Sequence, residues 1–238
     1  MLLRTQSNVA IVSICIVLSG CASFEPGMRY QDLMRPRQPT VKEARDGLDV
    51  SIEEFATANK SLMAFDADIA PYGVLALLVR VENNGSQNYR VQQNDIKATL
   101  GEQRLPLLSG EEAASQAATS EYAGKALGWT VATGPFAIFL WPATIAGSAS
   151  HTAAVNRRIK QYFESMEFTD SFLRPNQVAA GFMYFKLPDN IKKLENLAVE
   201  IESIAEQGGS ASYKLSLQTI DLSGNVSTPK VSRAAIPD

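Results

Sequence analysis

The sequence predicts a mainly β protein, an antiparallel β-sandwich into which an α-helical hairpin is inserted. Two observations carry this. Short apolar runs of period two, separated by turn residues, lie on both sides of the middle of the chain. Between them, from Ser109 to about Glu164, the strand signals stop and small residues recur every fourth place. A third observation, an apolar N-terminal run ending in a cysteine, puts an export segment ahead of the fold.

The first 20 residues, MLLRTQSNVAIVSICIVLSG, carry one basic residue, Arg4, and no acid. The run from Val9 to Leu18 is apolar except for Ser13. A basic start, an apolar run of about ten residues and small residues at its end make a secretory signal peptide over residues 1–20. The run is too short to span a bilayer, which takes about 20 apolar residues. Leu18-Ser19-Gly20-Cys21 follows, and it resembles the lipobox of bacterial lipoproteins. The resemblance implies a diacylglycerol on the Cys21 thiol, cleavage before it and acylation of the new amine. One acyl chain binds a membrane marginally, at about 0.8 kcal/mol per methylene, and two or three on one residue hold permanently. In such lipoproteins an Asp after the cysteine favours the inner membrane. Ala22 stands there, so the expected location is the cell envelope, lipid-anchored at the outer membrane and facing the periplasm. The competing reading is a short N-terminal membrane anchor with a chance cysteine.

Cys15 leaves with the signal peptide and Cys21 is acylated, so the mature chain is expected to hold no disulfide. Without Arg4 the chain has 21 basic and 25 acidic residues, a net charge of −4. There is no basic stripe, and no nucleic-acid partner is expected. Residues 21–45, with Pro26, Pro36 and Pro39, read as the lipidated N-terminus and an extended tether that holds the folded part off the membrane. Residues 46–238 read as the sandwich domain, with the hairpin inserted at about 110–165.

Within the domain, weaker runs near Val50 and Met63 come first. Leu75, Leu77, Val79 and Val81 then alternate as a strand. Asn83-Asn84-Gly85-Ser86 follows, and Asn-Gly predicts a tight hairpin to a return strand at Tyr89 and Val91. Ile96, Ala98 and Leu100 alternate before Gly101-Glu102 turns the chain toward Leu105 and Leu107. Later strands are marked by Val178, Ala180, Phe182 and Tyr184, then Leu197, Val199 and Ile201, then, after Gly208-Gly209, Tyr213, Leu215 and Leu217. Seven to nine short strands with such spacing suggest an immunoglobulin-like sandwich. The Cys…Trp…Cys signature of antibody domains is absent, so the strand pattern alone carries this. Arg174-Pro175-Asn176-Gln177 followed by Gly181-Phe182-Met183-Tyr184-Phe185 is similar to the late strand of immunoglobulin-like domains in uncharacterised bacterial lipoproteins. Val79-Arg80-Val81-Glu82-Asn83-Asn84-Gly85 fits their early strand-and-turn phrase. That resemblance implies no catalytic chemistry.

Ser109-Gly110-Glu111-Glu112 is a helix start, with acids near the positive end of the helix dipole. Ala126–Ser150 is 25 residues without a charge. Gly134-Pro135 and Trp141-Pro142 interrupt it, so two helices, about 111–133 and 143–165, are expected. Ser120, Gly124, Gly128 and Ala132 on the first, and Ala146, Ser150 and Ala154 on the second, put small side chains on one face for close packing. Trp129, Phe136, Ile138, Phe139, Leu140 and Trp141 are the candidate membrane or partner contacts. Three readings stay open: a transmembrane span, a hairpin whose tip enters a bilayer or a partner, and a hairpin folded onto the sandwich as core.

No catalytic set is found. His151 is the sole histidine, and Ser148 and Ser150 beside it lack an orienting acid and a G-x-S-x-G elbow. Asp66-Ala67-Asp68 with Asp95 is a conceivable oxygen-ligand cation site, outweighed by solvated acids at strand ends. Glu53-Glu54 and Glu111-Glu112 are read as facing apart, not as acid/base pairs. No phosphate loop occurs, and no metal or cofactor is expected. The expectation is a non-enzymatic lipoprotein that binds the membrane through Cys21 and binds an envelope protein, or itself, through the hairpin. The alternatives are a membrane-active or pore-like protein and, as a residual, a hydrolase.

Overall fold

The computed structural model describes residues 24–35, 37–117, 141–206 and 208–222, with the backbone alone over 141–153. Cys21, Gly124, Trp129, Gly128, Ala132, Phe136, Ile138, Phe139 and Leu140 lie outside the described residues. Of Trp141, Ala146 and Ser150, the helical backbone is described and the side chains are not.

The strands in chain order are β1 (Val41–Arg45), β2 (Leu48–Glu54), β3 (Val74–Asn83), β4 (Tyr89–Leu100), β5 (Gln103–Arg104) and β6 (Leu107–Leu108). After the insertion come β7 (Ser171–Leu173), β8 (Val178–Lys186), β9 (Lys193–Leu194), β10 (Leu197–Ala205), β11 (Ser210–Ser216) and β12 (Ile220–Asp221). The first sheet runs β1-β2-β3-β8-β6 and the second β11-β10-β4-β5, with β7 also on β4. β9 and β12 form a separate ribbon. Every ladder between these strands is antiparallel, so the expected mainly β, antiparallel class holds.

Alternation along each strand decides where the core sits. Leu48, Val50 and Ile52 of β2 and Leu75, Leu77, Val79 and Val81 of β3 face the second sheet. There they meet Val91, Ile96 and Ala98 of β4, Val199 and Ile201 of β10, and Tyr213 and Leu215 of β11 in one cluster. The opposite face of the first sheet is also buried. Val74, Ala76, Leu78, Ala180, Phe182 and Tyr184 belong to a second cluster, shared with the helices. The helices are α1 (Tyr30–Leu33), α2 (Ala58–Phe65), α3 (Gly110–Ala117) and α4 (Trp141–Met166). The order of layers is therefore helices, first sheet, second sheet.

Strands before and after the insertion interleave in both sheets: β3 lies beside β8, and β4 beside β10. A single membrane span through 126–150 would put these partners on opposite sides of a bilayer, so the topology overturns that reading.

Three other expectations change. The Asn83-Asn84-Gly85-Ser86 turn is not a hairpin, because β3 and β4 belong to different sheets. It is a corner held by the buried Asn83 amide, which accepts from Gly85 N at 3.0 Å and donates to the carbonyls of Gln87 and Leu173. The primed hairpin turn is instead Asp46-Gly47, with φ of 52° and 80° and Arg45 opposite Leu48. Its tip presses on the corner: a Cβ on Gly47 would lie 2.7 Å from Gly85 Cα. The run near Met63 forms α2, not a strand. It follows the Phe55–Thr57 exit from β2 and ends where Asp66 takes a left-handed conformation.

The expected tether is largely part of the fold. Val41–Arg45 is β1, and Thr40 N already donates to Ile52 O at 2.8 Å. Met28 and Leu33 are buried, and Gly27 N donates to Met63 O at 2.9 Å. Two apolar side chains, one just before α1 and one at its last residue, outweigh the extended preference of the nearby prolines.

The tightest backbone approach is at Gly181 in β8. The chain leaving α4 runs against it, with Phe168 N donating to Phe182 O at 2.9 Å. A Cβ on Gly181 would sit 2.4 Å from Phe168 Cα and 2.5 Å from Phe168 N. Gly181→Ala is expected to cost about 3 kcal/mol, since backbone cannot yield as a side chain does. Guanidinium unfolding measures it, and a midpoint within error of the parent would contradict the close approach.

Candidate functional site: the helical layer and the N-terminal strap

The helical layer starts with a cap. Ser109 Oγ accepts from Glu112 N at 3.2 Å, and the Glu112 carboxylate accepts from Ser109 N at 2.8 Å. This reciprocal pair satisfies two donors that a helix start leaves open. The bonds the carboxylate accepts from Ser109, the amide first and then the hydroxyl at 2.9 Å, hold the Glu112 carboxyl below its ordinary range. The expected start of the first helix is thus where the sequence placed it. The described part runs to Ala117, against an expected 111–133. The second helix begins two residues before the expected 143 and ends at Met166.

α3 crosses α4 at Gly110, where a Cβ would lie 2.9 Å from Glu164 Cα. Lys160 adds an ion pair to Glu111 at 2.6 Å, and this bond, before any other cause, raises the Lys160 ammonium above its ordinary value. On the sheet side, α4 presents Val155, Ile159, Tyr162, Phe163 and Met166, spaced three and four apart. Phe163 stacks on Phe65 with centroids 5.0 Å apart and packs at 5.4 Å on Tyr184; Phe182 meets Phe55 edge-on at 5.0 Å. Ala154, expected in the small-residue packing row, is exposed. Ala154 lies about a quarter-turn from the nearest edge of the stripe that faces the sheet, so it comes out at the surface.

Tyr162 ties the N-terminal segment to this layer. Its hydroxyl lies 2.6 Å from Ala64 O and 3.0 Å from Met28 O, and its ring meets Phe24 edge-on at 5.4 Å. Burial first, then the Asp32 charge, pushes the phenol well above its ordinary value of 10. The neutral form is the one the fold holds. Its contribution is complete below pH 10, the unfolded value, and is lost as pH climbs above it.

The other end of the strap is an ionic clamp. Arg37 Nε donates to Glu53 at 2.7 Å, and Lys60 reaches Glu54 at 3.0 Å and Glu53 at 3.7 Å. Both cations lie 5.8 Å from the Phe55 ring centroid. Glu53 and Glu54, expected to face apart, are both reached at the end of β2 by Lys60 of α2. Two carboxylates with two cations balance in charge, and the arrangement fastens strap, strand and helix.

Further predicted positions do not converge. Asp66 caps α2 and accepts from Glu25 N at 3.2 Å. Asp68 has one buried oxygen without a partner, and burial, partly opposed by a bond from Ala70, raises its carboxyl. Asp95 is on β4, in the other sheet. Among the described residues no three His, Cys, Asp or Glu gather as metal ligands. The side chains of Ser148, Ser150 and His151 lie outside the described residues. Open clefts among the described residues include two of similar size. One of about 380 Å³ is lined by Ile96, Lys97, Arg104, Leu105 and Phe185, the other of about 410 Å³ by Tyr30, Met34, Phe172 and Ala180. Among the described residues no helix is long and apolar enough to cross a membrane. Sequence reading missed Tyr162, Phe24, Arg37 and Lys60, because their partners are more than 15 residues away or on another element. The Asp46-Gly47 dipeptide was a signal in plain view.

No family model matches the chain, and no curated protein does. Among solved structures it is similar to a crystal structure of a candidate lipoprotein, ycdA, from Bacillus subtilis, at 12% identity and a TM-score of 0.35. The match covers 78% of this chain, which spans about two fifths (39%) of that protein's length.

Tyr162→Phe removes the hydroxyl that joins strap and helix. Loss of about 1 kcal/mol is expected. Opening of the strap should rise about fivefold, read as faster tryptic cleavage after Arg29 with the fold intact. An unchanged cleavage rate would refute the role of the hydroxyl.

Proposed function

We propose that the protein is a non-catalytic lipoprotein of the bacterial outer membrane, held by acyl chains on Cys21 and facing the periplasm. Its sandwich presents the helical hairpin to another envelope protein or to a second copy of the chain. The lipobox Leu18-Ser19-Gly20-Cys21 behind an export segment supports the anchor. The strand order supports an immunoglobulin-like sandwich. β2-β3-β8-β6 facing β11-β10-β4 is the order in which strands A-B-E-D face G-F-C in constant-type domains.

One observation carries the adaptor reading. The roots of α3 and α4 are fixed to each other at the Gly110 crossing and to the sheet by the aromatic stack, and the stripe that packs on the sheet is described from Met166 back to Val155. α4 continues from there back to Trp141, about 20 Å of helix, through a segment without a charge. A rigid root under an uncharged arm is the form of a presented contact element.

The test uses the mature chain with Cys21→Ser, with and without residues Pro135–Trp141. Capture of a defined envelope protein, or self-association at micromolar concentration, that disappears with the deletion is the expected result. A folded protein that binds no envelope component and stays monomeric refutes the adaptor reading. Flotation with liposomes, abolished by the same deletion, would turn the reading toward a membrane-active protein.

A further inference from the structure

The described fold begins at Phe24, three residues after Cys21. Three residues reach at most about 11 Å even when fully extended. Phe24 is itself fixed. Its ring sits on Tyr162 at 5.4 Å, the next amide donates to Asp66, and Gly27 N donates to Met63 O. The flank of α4 that carries Tyr162 is therefore about a headgroup layer away from wherever the acyl chains enter the bilayer.

That flank continues along the helix. Arg158 lies four residues before Tyr162 and Ala154 four before that, so the three share one side. Arg157, Arg158, Ala154 and Gln161 are exposed, and neither arginine has an ion-pair partner among the described residues. Glu25 is the exposed acid on the adjoining strap. On the opposite side of the molecule, two sheet layers away, Lys214 projects outward from β11 between the inward Tyr213 and Leu215. At about 10 Å per layer, it lies some 20 Å further from the helices.

We infer that this side of α4 rests directly on anionic lipid headgroups, so that the protein sits on its membrane with the helical layer down and the second sheet away from the membrane. The inference rests on acylation of Cys21. It replaces the expected tether by a stop of three residues. Near an anionic surface each arginine raises affinity about fivefold, so Arg157 and Arg158 together hold the seated orientation about 25-fold over their absence.

The experiment uses the full lipidated chain in vesicles of phosphatidylcholine with phosphatidylglycerol and a headgroup-bound quencher. A fluorophore is placed on Gln161→Cys or on Lys214→Cys. A second set carries a 20-residue Gly-Ser spacer between Ser23 and Phe24. Quenching several-fold stronger at position 161 than at 214 is expected. In the spacer protein it should persist, and it should fall to the level of 214 with Arg157→Glu/Arg158→Glu. Equal quenching at both positions, or spacer-protein quenching indifferent to the charge reversal, overturns the seating while the anchor stands. A mature N-terminal peptide without acyl mass overturns the anchor and the seating with it.

Discussion

From Val74 to Glu82, β3 runs beside β8, and over most of that length apolar side chains leave it on both faces. A strand pair of this kind cannot stand at the surface. One face needs a second sheet and the other needs a cover. The second sheet comes from β4, β10 and β11. The cover comes from α2, α3 and α4, with Phe65, Phe163, Phe182 and Tyr184 as its centre. Each such ring, fully buried, stabilises by about 1.5–3 kcal/mol. The helical insertion is thus not an appendage to a complete sandwich. Its root completes the burial of the first sheet.

The same demand explains the N-terminal strap. α2 and α4 leave a seam at their outer edge, and Met28, Leu33 and Phe24 fill it. Tyr162 suits that seam because its ring joins the apolar cover while its hydroxyl answers two carbonyls from different elements. Arg37, Lys60, Glu53 and Glu54 close the far end, where the carboxylates are nearly buried and each meets a cation. At the opposite end of the sandwich, Tyr89 and Tyr213 of the second sheet donate to the carbonyls of Asp46 and Arg45 at the β1–β2 turn. Burial pushes the Tyr213 phenol up to about 12, so its bond to Arg45 persists at any ordinary pH. The two sheets are therefore joined at their edge by side-chain-to-backbone bonds as well as through the core.

Much of this was legible along the chain. Period two at Leu75–Val81, Leu197–Ile201 and Tyr213–Leu217 marked real strands, because alternation follows from strand geometry and needs no knowledge of partners. Ser109 with Glu112 marked the start of α3 for the same reason, since a cap is a contact over three residues. Asn83-Asn84-Gly85 failed as a hairpin. The dipeptide permits a primed turn without requiring one, and which sheet β4 joins depends on β10, about 100 residues later. The strap failed because prolines speak locally for an extended chain, while the cavity that draws Met28 and Leu33 inward exists only after α2 and α4 are in place.

What the sequence by itself determined is local: strand phases, helix starts, and an uncharged stretch in the middle. These depend on neighbours within a turn or two of chain. The tertiary structure alone decided which strands share a sheet, that β3 and β8 bury both faces, and that the chain from Phe24 to Leu33 packs against the helices. Those outcomes turn on contacts between residues 15 to more than 100 positions apart, such as Arg37 with Glu53 and Met28 with Tyr162. Their strength depends on burial, and burial belongs to the assembled layers.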